Sequence, residues 1–175
     1  MHTISVVTGA NSGIGRATAI HLAQQGHTVF GTVRSRTKAT KLQAMADAAG
    51  VTVQLVELDV ADDASVAGGF AHILDTTGGV VDLLVNNAGV GGNATAEECS
   101  PQLHLEVMNV NLCGAVRCSQ QVLPGMRARG AGTIVNITSV VGRIAALAQS
   151  PYVTSKWALE GWSEQLAQEV APFGV

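Results

Sequence analysis

The sequence predicts an α/β fold: a doubly wound parallel sheet of about five strands, with helices on both faces, in a single domain spanning residues 1–175. Three observations lead there. Strand-like and helix-like stretches alternate from end to end, a glycine-rich turn follows the first strand, and no linker, repeat or low-complexity segment interrupts the chain. At roughly 30 residues per strand–helix unit, the length holds five units.

Ile4 to Val7 is a short apolar run cut off by Thr8-Gly9, as expected for a buried parallel strand. Ile14 to Gln25 reads as a helix, with Ile14, Ala17, Ile20 and Leu22 near one stripe and Gly26 closing it. Thr28 to Val33 is strand-like, and Lys41 to Ala49 carries Leu42, Met45, Ala46 and Ala49 at helical spacing. Val51, Val53 and Leu55 alternate with polar residues in a third strand that ends at Leu58-Asp59. Val66, Phe70, Ile73 and Leu74 fit a helix, and Val80 to Val85 a fourth strand. Ser100-Pro101 is a helix start, an N-cap followed by proline, and that helix runs toward Leu123-Pro124 and past it with a kink. Thr133 to Thr138 is the fifth strand, and Tyr152 to Val170 the last helix.

Composition narrows the function. The chain is 47% hydrophobic and 13% charged, against roughly 25% charged in an average domain. Such a chain has a large core or hides surface in a homo-oligomer. Its net charge of −3 gives no electrostatic footprint for nucleic acid. Cys99, Cys113 and Cys118 form no CxxC pair, and the five histidines are scattered, so neither a metal site nor a disulfide framework is expected. The first strand begins too early to leave room for a signal peptide, and no apolar run reaches the roughly 18 residues of a membrane span. A cytoplasmic protein acting on a small molecule, without membrane contact, is the expectation. The matches to a glycosylation acceptor at Asn93-Ala94-Thr95 and Asn136-Ile137-Thr138 read as chance.

The turn Thr8-Gly9-Ala10-Asn11-Ser12-Gly13-Ile14-Gly15 opens directly into a helix. A dinucleotide pyrophosphate must approach backbone N–H groups at a helix N-terminus, and a Cβ at the tight positions would block it. Gly9, Gly13 and Gly15 meet that need, and the strand–turn–helix context makes this a Rossmann-like site. The turn resembles the T-G-x-x-x-G-I-G form of the classical short-chain dehydrogenase/reductase family, and further matches follow in order over essentially the whole chain. They are Asp59-Val60 after the third strand, Asn86-Asn87-Ala88-Gly89 after the fourth, Asn111 in the long helix, Ser139 after the fifth strand, and Tyr152-x-x-x-Lys156.

The resemblance implies an oxidoreductase passing a hydride between a nicotinamide and a carbonyl or secondary alcohol. Gly9, Asn11, Ser12, Gly13, Ile14 and Gly15 would hold the pyrophosphate side, Asp59 and Val60 the adenine, and Asn87, Ala88 and Gly89 the path past the fourth strand. The second strand ends Val33-Arg34-Ser35-Arg36, with valine at the position where an NAD-preferring enzyme carries an acid. An arginine fork binds a ribose 2′-phosphate that a carboxylate would repel. The expected cofactor is therefore NADP(H) on Arg34, with Ser12 and Arg36 adding contacts. NAD(H) is the alternative, if these arginines are merely solvated.

Tyr152 and Lys156 lie one helical turn apart on one face, and an ammonium favours the phenolate of a neighbouring tyrosine. By resemblance, Tyr152 is the general acid/base, and Ser139 holds the substrate oxygen. Lys156 binds the nicotinamide ribose and tunes Tyr152, and Asn111 anchors a water connecting Lys156 to solvent. Asn109 competes with Asn111 for that role, and plain structural readings are a helix-capping Ser139 and a polar kink at Asn111. A hydrolase reading of Ser139 fails because it has no G-x-S-x-G elbow. Val90-Gly91-Gly92-Asn93 and Val140 to Ser150 would line a substrate pocket, and they are mostly small or apolar.

Family members continue past the last helix into further strands and a substrate loop, so this chain is expected to be C-terminally truncated relative to them. If these residues were the complete protein, a fifth strand left at a sheet edge, weak stability and little turnover would follow. Two readings thus stand: an active NADP(H)-dependent reductase or dehydrogenase, and a catalytically silent nucleotide-binding or oligomerising fragment. The helices beginning at Pro101 and Tyr152 are the ones family members use to form dimers and tetramers.

Overall fold

A computed structural model describes residues 3–175. Five parallel strands, β1 (Ile4–Val7), β2 (Thr28–Val33), β3 (Val53–Glu57), β4 (Leu83–Asn86) and β5 (Thr133–Asn136), form one sheet in the order β3-β2-β1-β4-β5. The helices are α1 (Gly13–Gln24), α2 (Thr40–Ala48), α3 (Asp63–Thr77), α4 (Pro101–Met108), α5 (Gly114–Arg129) and α6 (Ser150–Val170). The doubly wound sheet is as expected, and among the described residues β5 lies at its edge, with Val135 39% exposed.

Each face of the sheet buries its own core. Val6, Phe30, Phe70, Leu84 and Met126 join α3 and α5 to one side, while Val7, Ile20, Val29, Leu42 and Val85 join α1 and α2 to the other. Alternate strand residues go to opposite faces, so Val6 and Val7 part company here. The stripe expected on α1 is corrected. Gly15, Ala19 and Ile20 are buried, whereas Ile14 and Ala17 face outward, because the inward stripe runs through Gly15, Ala19 and Ala23 at the spacing of four that one helix face requires.

Helix ends follow local chemistry. Asp62 Oδ1 accepts from Ser65 N at 2.6 Å and caps α3, and Ser100 Oγ accepts from Leu103 N at 3.1 Å to cap α4. The long helix from Pro101 does not kink into two at Pro124, which lies inside α5. It changes winding earlier, in a π-helical turn over Asn109–Cys113. Between β4 and β5, Asn86 Nδ2 donates to Asn136 Oδ1 at 2.9 Å and to Ser119 Oγ at 3.1 Å, and Asn136 Nδ2 donates to Ser163 Oγ at 2.9 Å. This buried amide chain ties α5 and α6 to the sheet. The strand order reverses between β1 and β4, and a parallel sheet opens a crevice at the carboxyl ends of the strands there.

Candidate functional site

A cleft of about 920 Å³ lies at that crevice. Its floor is the turn after β1. Thr8 Oγ1 accepts from the backbone N–H of both Asn87 and Ala88 at 3.0 Å, and Asn87 Nδ2 donates to Thr8 O at 2.9 Å. The glycine turn is thereby stapled to the loop after β4. Gly9 adopts φ +65°, and a Cβ there would stand 2.9 Å from Ala88 Cα. A Cβ on Gly15 would collide with the Asn87 amide and come within 2.5 Å of Gly9 O. These close approaches require glycine.

α1 then begins with its donors uncovered. Ser12 is an extended N-cap whose side chain makes no capping bond, and the first turn holds no acidic residue. The first-turn N–H groups and the positive end of the helix dipole favour an anion. Gly9, Asn11, Ser12, Gly13 and Ile14 line the cleft at this point. Asn11 Oδ1 is buried there without a hydrogen-bond partner, and Ile14 is 64% exposed. An uncapped helix start, an orphaned amide oxygen and an exposed apolar side chain fit a bound dinucleotide and fit an empty surface turn poorly.

At the end of β2, Val33, Arg34 and Ser35 reach the cleft, as does Lys38. Arg36 does not. Its guanidinium donates to Leu55 O, and its backbone N–H donates to Glu57 Oε2 at 3.1 Å, so the second cation at the cleft is Lys38. The turn over Arg36–Lys38 is 3-10 helical; it folds Arg36 back onto β3 and brings Lys38 forward. Sequence reasoning missed Lys38, although the basic alternation Arg34, Arg36, Lys38 was its signal. Asp59 and Val60 line the far wall with Leu58. Asp59 Oδ1 accepts from Ala61 N at 3.0 Å, and Val60 packs so closely on Gly114 that a Cβ there would lie 2.9 Å away.

The opposite wall carries Asn87, Ala88, Gly89, Ile137, Thr138, Tyr152 and Lys156. Lys156 is 4% exposed, and its Nζ donates to Ile137 O at 2.8 Å. Burial lowers its pKa from the ordinary 10.5, since desolvation disfavours the ammonium. Its Nζ lies 5.7 Å from the ring centre of the half-buried Tyr152. Asn111 is buried behind this wall, whereas the half-buried Ser139 directly follows the cleft-lining Thr138. Asn111, in the π-helical turn, accepts from Val90 N at 2.8 Å and donates to Val90 O and Ser155 Oγ, both at 2.9 Å. Ser155, another residue that sequence reasoning missed, donates to Tyr152 O at 2.8 Å. Ser139 Oγ accepts from Val141 N at 3.3 Å and caps the 3-10 turn Val140–Gly142. Asn109 instead donates to Ala61 O at 3.1 Å.

The family model for short chain dehydrogenase matches residues 3–175. The chain is 39% identical over 166 residues to an NADPH-dependent pterin aldehyde reductase of Arabidopsis thaliana, covering 94% of this chain and 68% of that protein. It is 38% identical to a 3-ketodihydrosphingosine reductase of Bacteroides thetaiotaomicron, covering 98% and 60%. Among solved structures, an F189W actinorhodin polyketide ketoreductase with NADPH superposes with a TM-score of 0.93 at 35% identity, covering 99% of this chain and 67% of that one. The chain thus spans about 60 to 68% of these relatives' lengths. The family match over residues 3–175 and the TM-score of 0.93 agree with the parallel sheet, the glycine turn and its cleft: the chain belongs to the short chain dehydrogenase family.

Proposed function

We propose that residues 1–175 form one nucleotide-binding domain that takes NADP(H) and reduces a carbonyl or oxidises a secondary alcohol. The observation that carries this reading is the convergence of Tyr152 and the buried Lys156 on the same cleft as the uncapped start of α1. The cofactor supplies the hydride chemistry when bound.

In reduction, Tyr152 gives its phenolic proton to the carbonyl oxygen, and in oxidation it removes the proton from the alcohol. Lys156 holds the nicotinamide ribose, and its charge favours the phenolate of Tyr152. Ser139 hydrogen-bonds the same substrate oxygen, since its Oγ accepts from Val141 N while its own hydrogen remains available to donate. Asn111 fixes the first turn of α6 through Ser155 and Tyr152 O, and anchors a water that relays protons to Lys156. Arg34 and Lys38 supply the charge for a 2′-phosphate, which favours NADP(H) over NAD(H). The NADPH-dependent reductase and the NADPH-bound ketoreductase among the relatives support that preference.

The substrate is a small, largely apolar carbonyl compound or alcohol, in keeping with the exposed Val140, Ile144 and Leu147 between β5 and α6. A second copy of the chain covers the outer face of α4 and α6, where Leu105 is 64% and Trp157 51% exposed. Among the described residues no helix is long and apolar enough to cross a membrane, and a cytoplasmic location is proposed with the rest.

The test is NADPH oxidation with a panel of ketones, together with NADPH binding by fluorescence. Tyr152→Phe keeps binding and loses at least about a hundredfold in turnover. Equal turnover by wild type and Tyr152→Phe refutes the acid/base role. Binding without turnover in the wild type leaves the silent nucleotide-binding fragment.

A further inference from the structure

A thiol, an imidazole and a hydroxyl meet where the segment after β4 reaches the first turn of α6. Cys99 immediately precedes Ser100, the N-cap of α4. Its Sγ lies 3.2 Å from His104 Nδ1, and His104 Nε2 lies 3.2 Å from Ser150 Oγ. Ser100 O also faces Nδ1, at 3.4 Å. All three side-chain-bearing residues Cys99, His104 and Ser150 are half-buried, and none lines the nucleotide cleft.

In the tautomer that carries its proton on Nε2, facing Ser150 Oγ, Nδ1 is left to accept from the Cys99 thiol. The imidazole can take a second proton and donate from both positions without moving. A nucleophile touching a base, with a third group holding the base in place, is the arrangement that activates a side chain for covalent chemistry. The other thiols are placed differently. Cys118 is fully buried, and burial pushes its pKa up to about 12, whereas Cys113 is half-buried in the π-helical turn.

We propose that Cys99 is a site of covalent modification by neutral α,β-unsaturated carbonyl compounds, with His104 as its general base and Ser150 orienting the ring. The proton leaves Sγ for Nδ1 as sulfur forms a bond to the β-carbon. The electron pair of the carbon–carbon double bond passes through the enolate to the α-carbon, and His104 returns its proton there. The whole electrophile is added, nothing leaves, and no oxidant is consumed. Charge selects the reagent. Glu97 and Glu98 precede Cys99 and are exposed, and Glu106 lies exposed on α4, so anionic reagents such as glutathione disulfide are repelled and a neutral electrophile is not.

The experiment treats the full chain with iodoacetamide and, separately, with 2-cyclohexen-1-one, and follows each cysteine by peptide mass spectrometry. Cys99 is expected to react at least about tenfold faster than Cys113, with Cys118 unlabelled until the protein unfolds. The cyclohexenone adduct carries the full mass of the reagent. His104→Gln slows Cys99 by about tenfold with the Cys113 rate unchanged, and Ser150→Ala slows it less. General loosening by a variant accelerates Cys113 as well, so the ratio of the two rates reports activation itself. A Cys99-to-Cys113 ratio near one in the wild type, or unchanged in His104→Gln, overturns the proposal.

Discussion

Replacing Gly15 by alanine separates helix propensity from the close approach that the cleft requires. Within a helix the change ordinarily stabilises by about 1 kcal/mol. Here the new methyl would enter between the Asn87 amide and Gly9 O, 2.5 Å from the oxygen, whereas ordinary contact begins near 3.4 Å. Gly9 has little room to recoil, because a Cβ built on it would already stand 2.9 Å from Ala88 Cα. Asn87 must yield and give up its bond to Thr8 O. Overpacking costs about 1–3 kcal/mol and the lost hydrogen bond about 1 kcal/mol. A net loss of about 1–3 kcal/mol remains after the helix gain, which lowers Tm by about 2–12 °C in a chain of this size. Gly68→Ala is the control: it lies exposed in α3 with nothing within 4 Å of its Cβ, and should raise Tm by about 2–4 °C. Thermal unfolding of both variants, with NADPH binding by fluorescence, is the assay. A Gly15→Ala protein as stable as wild type, binding NADPH equally well, would refute both the packing argument and the role of this turn.

Other outcomes follow from the same geometry. Arg34→Ala weakens NADPH binding by about tenfold or more and leaves NADH binding unchanged, read from titrations with each nucleotide; equal losses for both would remove the 2′-phosphate contact. Lys156 has a folded pKa below its unfolded 10.5, so between those values the unfolded chain binds more protons and stability rises with pH. Its penalty is full below the folded pKa and relieved as pH climbs toward 10.5; urea unfolding of wild type and Lys156→Met from pH 7 to 10 should show a steeper rise in the wild type, and parallel curves would contradict it. Asp62→Ala removes the cap on α3 and costs about 1 kcal/mol, seen as a lower urea midpoint at unchanged slope.

The sheet was legible because its strands carry their own signals. The limits of β1 and β2 coincide with the apolar runs Ile4–Val7 and Thr28–Val33, and both are flanked by residues that stop a strand. The fourth strand was harder. Val80 to Val85 reads as one strand, yet pairing begins only at Leu83: Asp82 interrupts the apolar run and its carboxylate accepts from Ile4 N at 2.8 Å, while Val81 lies in the core cluster with Phe70. Arg36 and Lys38 show a second limit. Two cations in alternation look equivalent in sequence, and only the 3-10 turn between them decides which folds onto Leu55 O and which reaches the cleft.

The π-helical turn over Asn109–Cys113 was the least legible feature and the one that organises the wall behind the cleft. Spacing pointed to Pro124 as the place where the long helix bends, because proline removes a helical donor. Tertiary contacts instead set the change of winding fifteen residues before it. Asn111 holds Val90 on one side and Ser155 on the other, and Gly89 sits so close that a Cβ there would lie 3.2 Å from Asn111 Oδ1. An extra residue in one turn lets a buried amide bridge the loop after β4 to the helix that carries Tyr152 and Lys156. π-Helical turns of this kind often mark functional sites. No periodicity within residues 101–129 could announce this one, since its partners lie about 20 residues before it and 44 after it.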